Sequence, residues 1–277
     1  MFKIGFIDYF LDEWHANQYP GWIEKATQGE MKVTHAYGMI DSPRGGLTTD
    51  QWCEKFGVKK CDTIDEIIAA CDGLIVLSPD NAEMHLTLCE KPLKSKKPVY
   101  VDKTFAPDEE TAKKIFAFAE ESGTPCYSTS ALRYATEYTE LDKSKIRGIA
   151  TWGPASMEIY SIHQLEPITM LMQARAKKVL YLPGNGWGTL NIEFTDGRTA
   201  TMTHFEDGAP FMAQVCMEGG NKTLSANSDF WSIFIQVLVK FFKDGQEPVP
   251  HQETLNVMAV REAGIKAVQN PGQWVEV

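Results

Sequence analysis

The sequence predicts an α/β protein: a doubly wound parallel sheet over residues 1–127, then an α+β domain with a mainly antiparallel sheet over 128–277. Three observations predict it. Strand and helix signals alternate through the first half, as βαβ units require. One run there, 73–78, is continuously apolar, as a strand covered on both faces must be. From about residue 145 the pattern becomes apolar–polar alternation broken by the turn Thr195-Asp-Gly197, the mark of an antiparallel hairpin. At 277 residues the chain is long for one domain and ordinary for two.

Taken in order, residues 2–7 are an apolar run ending at Asp8, a strand feeding a helix, and 31–37 is the second strand. Residues 49–56 read as a helix closed by Gly57. Thr63-Ile-Asp-Glu66 has the spacing of a capping box and opens a helix through Ala70. After the 73–78 strand come a helix at about 82–93, a strand at 98–102, an amphipathic helix over 108–122 stopped by Gly123, and a last strand at 125–128. This is a Rossmann-type order of elements. In the second half, 187–194 and 199–205 flank the hairpin turn and 211–217 is a further strand. Asp229 is the expected N-cap of a helix over 230–243, and a helix over 254–268 follows. The linker near 128–132 is short, and the reading is two domains packed along a cleft.

Composition narrows the function. Apolar residues are 43% and charged residues 23%, which excludes a disordered or fibrous chain. Acids outnumber bases 37 to 27, a formal charge of −10, which argues against nucleic acid or an anionic membrane as partner. The first residues do not read as a signal peptide and no apolar run is long enough to cross a bilayer. The six cysteines never form a C-x-x-C pair and fall in periodic segments, so a reducing cytoplasm is the expected compartment.

Ligands of a doubly wound sheet bind beyond the carboxyl ends of its strands. Polar residues concentrate at three such exits: Asp8, Tyr9, Phe10, Asp12 and Glu13 with Trp14 and His15 after the first strand; Ser78, Pro79 and Asp80 with His85 after the fourth; Asp102, Lys103 and Thr104 after the fifth. Any one exit is equally well read as solvated strand-end polarity.

These residues, in this order, resemble the Gfo/Idh/MocA family of glucose–fructose oxidoreductase and inositol dehydrogenase. Tyr100-Val-Asp-Lys-Thr104 is similar to that family's V-x-E-K-P. Pro79 and Asp80, with His85 seventeen residues before Asp102, resemble its P-N-x-x-H with two residues added. Leu132-Arg133-Tyr134 resembles F-R-Y, and Ser161-Ile-His163 with Glu166 resembles G-x-H-x-x-D at the head of a helix. Gly245-Gln-Glu-Pro-Val and Trp274-Val-Glu276 match the close. The resemblance implies hydride transfer between NAD or NADP and a secondary alcohol or carbonyl of a sugar, polyol or related molecule. It places Lys103 and His163 in catalysis, and Arg133, Tyr134 and Glu166 on the substrate. Asp8, Tyr9, Phe10, His15, Ser78, Pro79, Asp80, His85, Asp102 and Lys103 fall on the cofactor side. A neutral His suits the hydroxyl proton, and a Lys beside the same oxygen favours the developing alkoxide. No metal is implied. The resemblance also implies a homo-oligomer, a dimer or tetramer.

The chain departs from the family pattern where the cofactor should sit. The three glycines of G-x-G-x-x-G fall on Asp8, Phe10 and Glu13. A carboxylate about 4 Å from a phosphate costs roughly 4 kcal/mol at an effective dielectric near 20. Asp8 and Asp12 read alternatively as caps of the next helix. The acid expected after the second strand is Tyr37, with Asp41 beyond. Thr104 replaces proline, so a trans Lys103–Thr104 bond is expected. Ile159 stands where the family has a catalytic Asp, with Glu158 or Glu166 as substitutes. The competing reading is a non-catalytic or cofactor-independent relative that binds a carbohydrate or acidic metabolite in the interdomain cleft. A metal-assisted lyase or isomerase using His163 and Glu166 is the weakest reading, for want of further ligands.

Overall fold

In the computed structural model, which describes residues 1–277, the first half assembles into one six-stranded parallel sheet. The chain runs β1 (Phe2–Asp8), α1 (Trp14–Ala26), β2 (Met31–Gly38), α2 (Thr49–Phe56), β3 (Lys59–Lys60), α3 (Ile64–Ala70), β4 (Gly73–Val76), α4 (His85–Cys89), β5 (Val99–Val101), α5 (Glu109–Ser122) and β6 (Cys126–Tyr127). The strand order is β3-β2-β1-β4-β5-β6, the doubly wound order in which the chain reverses direction of travel at β1. Every residue of β4 and β5 is buried, which is why these strands read as unbroken apolar runs.

Local chemistry sets the boundaries. Thr48 caps α2 through the Gln51 N–H, with the Gln51 side chain returning the bond, and Gly57 ends the helix at φ 63°. Thr63 accepts from the Glu66 N–H as expected, but the Glu66 carboxylate takes the Asp62 N–H rather than that of Thr63. Asp108 caps α5 and Gly123 closes it at φ 67°. The single helix expected over 82–93 is broken into a 3-10 turn at Ala82–Met84, the five-residue α4 and a second 3-10 turn at Pro92–Lys94. Pro92 lacks the N–H that a continuous helix would need there.

Residues 1–129 form the first unit together with 234–251; residues 130–233 form the second together with 252–277. The second unit contributes α6 (Thr136–Thr139), β7 (Ile146–Pro154), α7 (Met157–Met172), β8 (Ala176–Pro183), β9 (Trp187–Phe194), β10 (Thr199–Phe205), β11 (Met212–Met217) and β12 (Lys222–Ser225). Next come α8 (Phe230–Asp244), α9 (His251–Gln269) and β13 (Trp274–Glu276). Its seven strands lie in the order β12-β11-β7-β10-β9-β8-β13, antiparallel except where β7 and β10 run parallel. The helices α7 and α9 supply the core of this unit: Gly264 of α9 leaves room for Met157 and Leu190, and Asn256 bonds both the Ala176 N–H and the Ala174 carbonyl.

The later residues of α8 instead return to the first unit. Phe234 packs on Tyr19 and Tyr100, Phe241 on Tyr127, and Phe242 on Phe2. Gly73 is small because Phe242 stands 2.7 Å from where its Cβ would be.

Gly5, in the middle of β1, has the same constraint. A Cβ there would lie 2.4 Å from Ile67 Cγ2 and 3.1 Å from Cys71 Sγ, both on buried side chains. Gly5→Ala is therefore expected to destabilise the protein by about 1–3 kcal/mol through overpacking. The denaturant midpoint should fall while the slope of the transition stays unchanged.

Candidate functional site

The exit of β1 is closed by the chain's own groups. Glu13, not Asp8 or Asp12, is the N-cap of α1, and its two carboxylate oxygens accept from the main-chain N–H groups of His15 (2.7 Å) and Ala16. Those amides carry the positive end of the helix dipole, so a carboxylate is a natural ligand for them. Asp12 works elsewhere: it accepts from Asn17 Nδ2 at 3.0 Å and from the Leu47 N–H at 2.8 Å. Gly46 is needed beside it, because a Cβ would fall 2.3 Å from Asp12 Oδ2. The segment after β2 thus folds over the β1 exit. Met39 and Ile40 donate to the carbonyls of Asp8 and Tyr9, extending the β1–β2 ladder beyond the strand ends. Arg44 lies over the buried Phe10 ring, 5.5 Å from its centroid, and pairs with Asp80 at 3.0 Å.

Asp8 is 1% exposed and neither carboxylate oxygen has a hydrogen-bond partner. Burial and the nearby Glu13 push its pKa well above the ordinary value, and the adjacent main-chain amides of Tyr9 and Phe10 only partly oppose this. Glu13 is pushed up to about 7, first by burial and also by Asp102, with His15 and the capped amides pulling the other way.

At the exit of β5, Asp102 is fully buried and fully engaged. Its Oδ2 contacts His15 Nδ1; its Oδ1 accepts from the hydroxyls of Tyr100 (3.0 Å) and Tyr19 (3.4 Å) and from the Lys103 N–H (2.9 Å). Burial would raise its pKa, but the His15 ring and the Lys103 charge outweigh it and hold Asp102 below the usual carboxylate range. His15 is stacked on Tyr19 with centroids 5.2 Å apart. The Lys103–Thr104 peptide is cis, which corrects the trans expectation. The segment is gripped on both sides of that bond, by Asp102 on the Lys103 N–H and by His85 Nδ1 on the Phe105 carbonyl at 3.0 Å.

His85 is 0% exposed, with both ring nitrogens on main-chain carbonyls, those of Phe105 and Leu77. It joins the β4 and β5 exits as an internal tie. Ser78 is buried at φ 77° and donates to the Asn81 carbonyl, while Pro79 is half-buried and Asp80 exposed.

In the second unit, His163 lies in the second turn of α7, since the helix begins at Met157 under a Ser156 cap rather than at Ser161. Ser130 Oγ and His163 Nδ1 are hydrogen-bonded at 2.7 Å, and the ring sits edge-on to Tyr160 and Phe211. Arg133 and Glu166 are both buried and paired at 2.9 Å, and the second arm of the guanidinium bonds Glu253. Their charges are directed at one another within the protein, and Tyr134 is the neighbouring ring of that turn. Ile159 is 62% exposed, and the main-chain carbonyl of Glu158 accepts from Arg261. No cluster of three or more His, Cys, Asp or Glu side chains has metal-binding geometry.

Four parts of this arrangement went unread in the sequence. Glu253 stands 120 residues from Arg133, so no local spacing reveals it. Ser130 and Tyr19 are recognisable only by what they touch. The capping role of Glu13 is legible in retrospect, as an acid directly ahead of a helix in a loop without glycine.

A dinucleotide needs a loop that lets its diphosphate reach the amides of α1 without a side chain in between. Here Glu13 already ligates those amides, Asp8 is a second buried acid, and Phe10 fills the middle of the loop. As built, the β1–α1 loop does not fit a diphosphate.

Residues 29–130 match the model of an oxidoreductase family with an NAD-binding Rossmann fold, GFO_IDH_MocA. The match starts after the β1–α1 loop and α1. A comparison with curated protein sequences gives no match. Among solved structures, a probable dehydrogenase from Thermotoga maritima superposes with a TM-score of 0.81 at 13% identity, over 99% of this chain and 98% of that one. The scyllo-inositol dehydrogenase of Lactobacillus casei, solved with NAD(H) and scyllo-inositol, gives 0.79 at 15% identity over 99% and 98%. The myo-inositol 2-dehydrogenase of Lactobacillus plantarum gives 0.78 at 14% over 100% and 99%. At such identities the structural likeness shows the fold.

The raised pKa of Glu13 has a sign that can be measured. Its folded value of about 7 lies above the ordinary 4.5, so the stabilisation is fully present below pH 4.5 and is lost as pH rises through 7. Unfolding free energy is expected to fall by on the order of 3 kcal/mol across that window. Glu13→Gln should flatten the slope in denaturant titrations run at several pH values; an unchanged slope assigns the proton to another group.

Proposed function

We propose, on the premise that this chain is a Gfo/Idh/MocA relative by its own motifs and by the family match over 29–130, that it is an oxidoreductase of CH–OH groups. Its substrate is a secondary alcohol or carbonyl on a sugar, polyol or related small molecule. The observation that carries this reading is the lysine of the strand-end motif, Lys103, kept at the β5 exit beside Asp102, whose carboxylate is held by an internal hydrogen-bond network, and lying within the matched segment.

In this reading His163 accepts the proton of the reacting hydroxyl, and the Lys103 ammonium favours the alkoxide as it forms. The bond between Ser130 and His163 Nδ1 supports the assignment to His163, because it holds the ring in place. Arg133, Tyr134 and Glu166 stand on the substrate side in this reading, with the charges of Arg133 and Glu166 paired with one another. NAD or NADP is the redox partner the family implies. The steps assigned here are those at the alcohol oxygen, since the β1–α1 loop offers no seat for a diphosphate.

One observation favours the second reading, a cofactor-independent relative that binds a carbohydrate or acidic metabolite: the Glu13 carboxylate on the α1 amides. Turnover separates the two. With a panel of polyols and aldoses and either NAD or NADP, the oxidoreductase reading expects measurable reduction of the cofactor. Lys103→Ala and His163→Ala should each lower kcat by about 100-fold or more while the substrate KM changes little. Turnover retained in both variants removes these two residues from catalysis, and silence of the wild-type protein toward the whole panel favours the second reading.

We also propose a homo-oligomer, supported by the exposed Trp187, Leu182 and Trp274 on the strands β9, β8 and β13. Sedimentation at micromolar concentration should give at least a dimer; a monomer there contradicts it.

A further inference from the structure

The loop that disagrees with the family does more than lack glycine. It takes up, from the chain itself, the two helix-terminal amides that a diphosphate could otherwise reach. The N–H groups of His15 and Ala16 point at Glu13. The space over the loop is taken by the segment after β2, fastened at four points: Met39 on Asp8, Ile40 on Tyr9, Leu47 on Asp12, and Arg44 across Phe10 to Asp80. Asp41, the acid after β2, is also spent inside the protein, accepting from the Thr49 N–H at the start of α2 at 2.8 Å. The buried Asp8 adds a second carboxyl group at the β1 exit.

We propose that Glu13 is a built-in competitor of nucleotide diphosphates, a carboxylate that occupies the amino terminus of α1 and sets a low affinity of this unit for any dinucleotide. This rests on the reading of the chain as a relative of dinucleotide-binding oxidoreductases, but it concerns binding and not turnover. The physical basis is twofold. A diphosphate must displace Glu13 to reach the two amides, forfeiting bonds that already satisfy the helix. It must then sit beside the displaced carboxylate in a partly desolvated site, where like charges repel several times more strongly than in water. Neutralising Glu13 while keeping its shape removes the repulsion and leaves a weaker amide oxygen as the competitor.

The test is calorimetric binding at pH 8, above the Glu13 value of about 7 and so with its carboxylate ionised, of ADP-ribose, which carries the diphosphate without the nicotinamide, to the full-length wild-type protein, Glu13→Gln and Glu13→Gly. Adenosine, which lacks phosphate, serves as the control ligand. Whatever the wild-type affinity, both variants should bind ADP-ribose roughly tenfold or more tightly than wild type, with adenosine binding changed less than twofold. If Glu13→Gly fails to fold for want of its cap, Glu13→Gln retains an acceptor and decides alone. ADP-ribose bound equally or more weakly by Glu13→Gln overturns the proposal. So does an equal gain for adenosine, which would show general loosening of the loop. Turnover plays no part in the readout, so a failure here leaves the oxidoreductase reading intact, and an enzyme inactive on every alcohol could still show the gain.

Discussion

A buried, ionised carboxylate must be met by donors, and Asp102 is where the first unit meets that demand. The donors come from three places: the ring of His15 and the hydroxyl of Tyr19 on α1, the hydroxyl of Tyr100 on β5 itself, and the main-chain N–H of Lys103. Removing one partner of such a pair typically costs 3–5 kcal/mol, because the other charge is left buried and uncompensated. The network therefore locks the first turn of α1 to the exit of β5. Glu13, one residue before that turn, is held beside the same network by its bonds to the His15 and Ala16 amides.

The consequence is a crowded balance of charge. Asp8, Glu13 and Asp102 lie close enough to influence one another, and His15 is the imidazole set among them. They do not all ionise together. Asp102, with the largest share of donors, is held ionised; Asp8, with none, is pushed toward its neutral form, and Glu13 lies between. A glycine loop leaves helix amides open for an anion from outside. This loop answers the same electrostatic need from within, and the two solutions exclude each other at the same atoms.

How much of this the sequence carries depends on range. The strands and helices of the first unit are legible because period and caps are local: Gly57 and Gly123 stop their helices, and Asp108 and Thr48 start theirs. The helix α7 is not legible by periodicity. Twelve of its sixteen residues are buried, so it has no polar stripe, and Pro167 lies inside it. Strand β7 is thinned by Gly148 and Gly153 and closed by Pro154, and β13 is only three residues long. At the site, the motif residues are found by order and spacing, whereas their partners are not. Nothing near Arg133 announces Glu253, and nothing near Asp102 announces Tyr19, because these contacts depend on tertiary packing.

The same distinction bears on the surroundings of Lys103 and His163. Had Asp102 taken the Lys103 ammonium as its counter-ion, that charge would be cancelled before any substrate arrived. It takes the Lys103 main-chain N–H instead, and the side chain set against it is His15. The acid of the strand-end motif thus orients the Lys103 backbone without a salt bridge to its ammonium. His163 shows a parallel economy: its Nδ1 bonds a neutral serine, while the nearby carboxylate Glu166 is held by Arg133. In each unit the buried carboxylate is engaged by partners within the protein, Asp102 by His15 and Glu166 by Arg133.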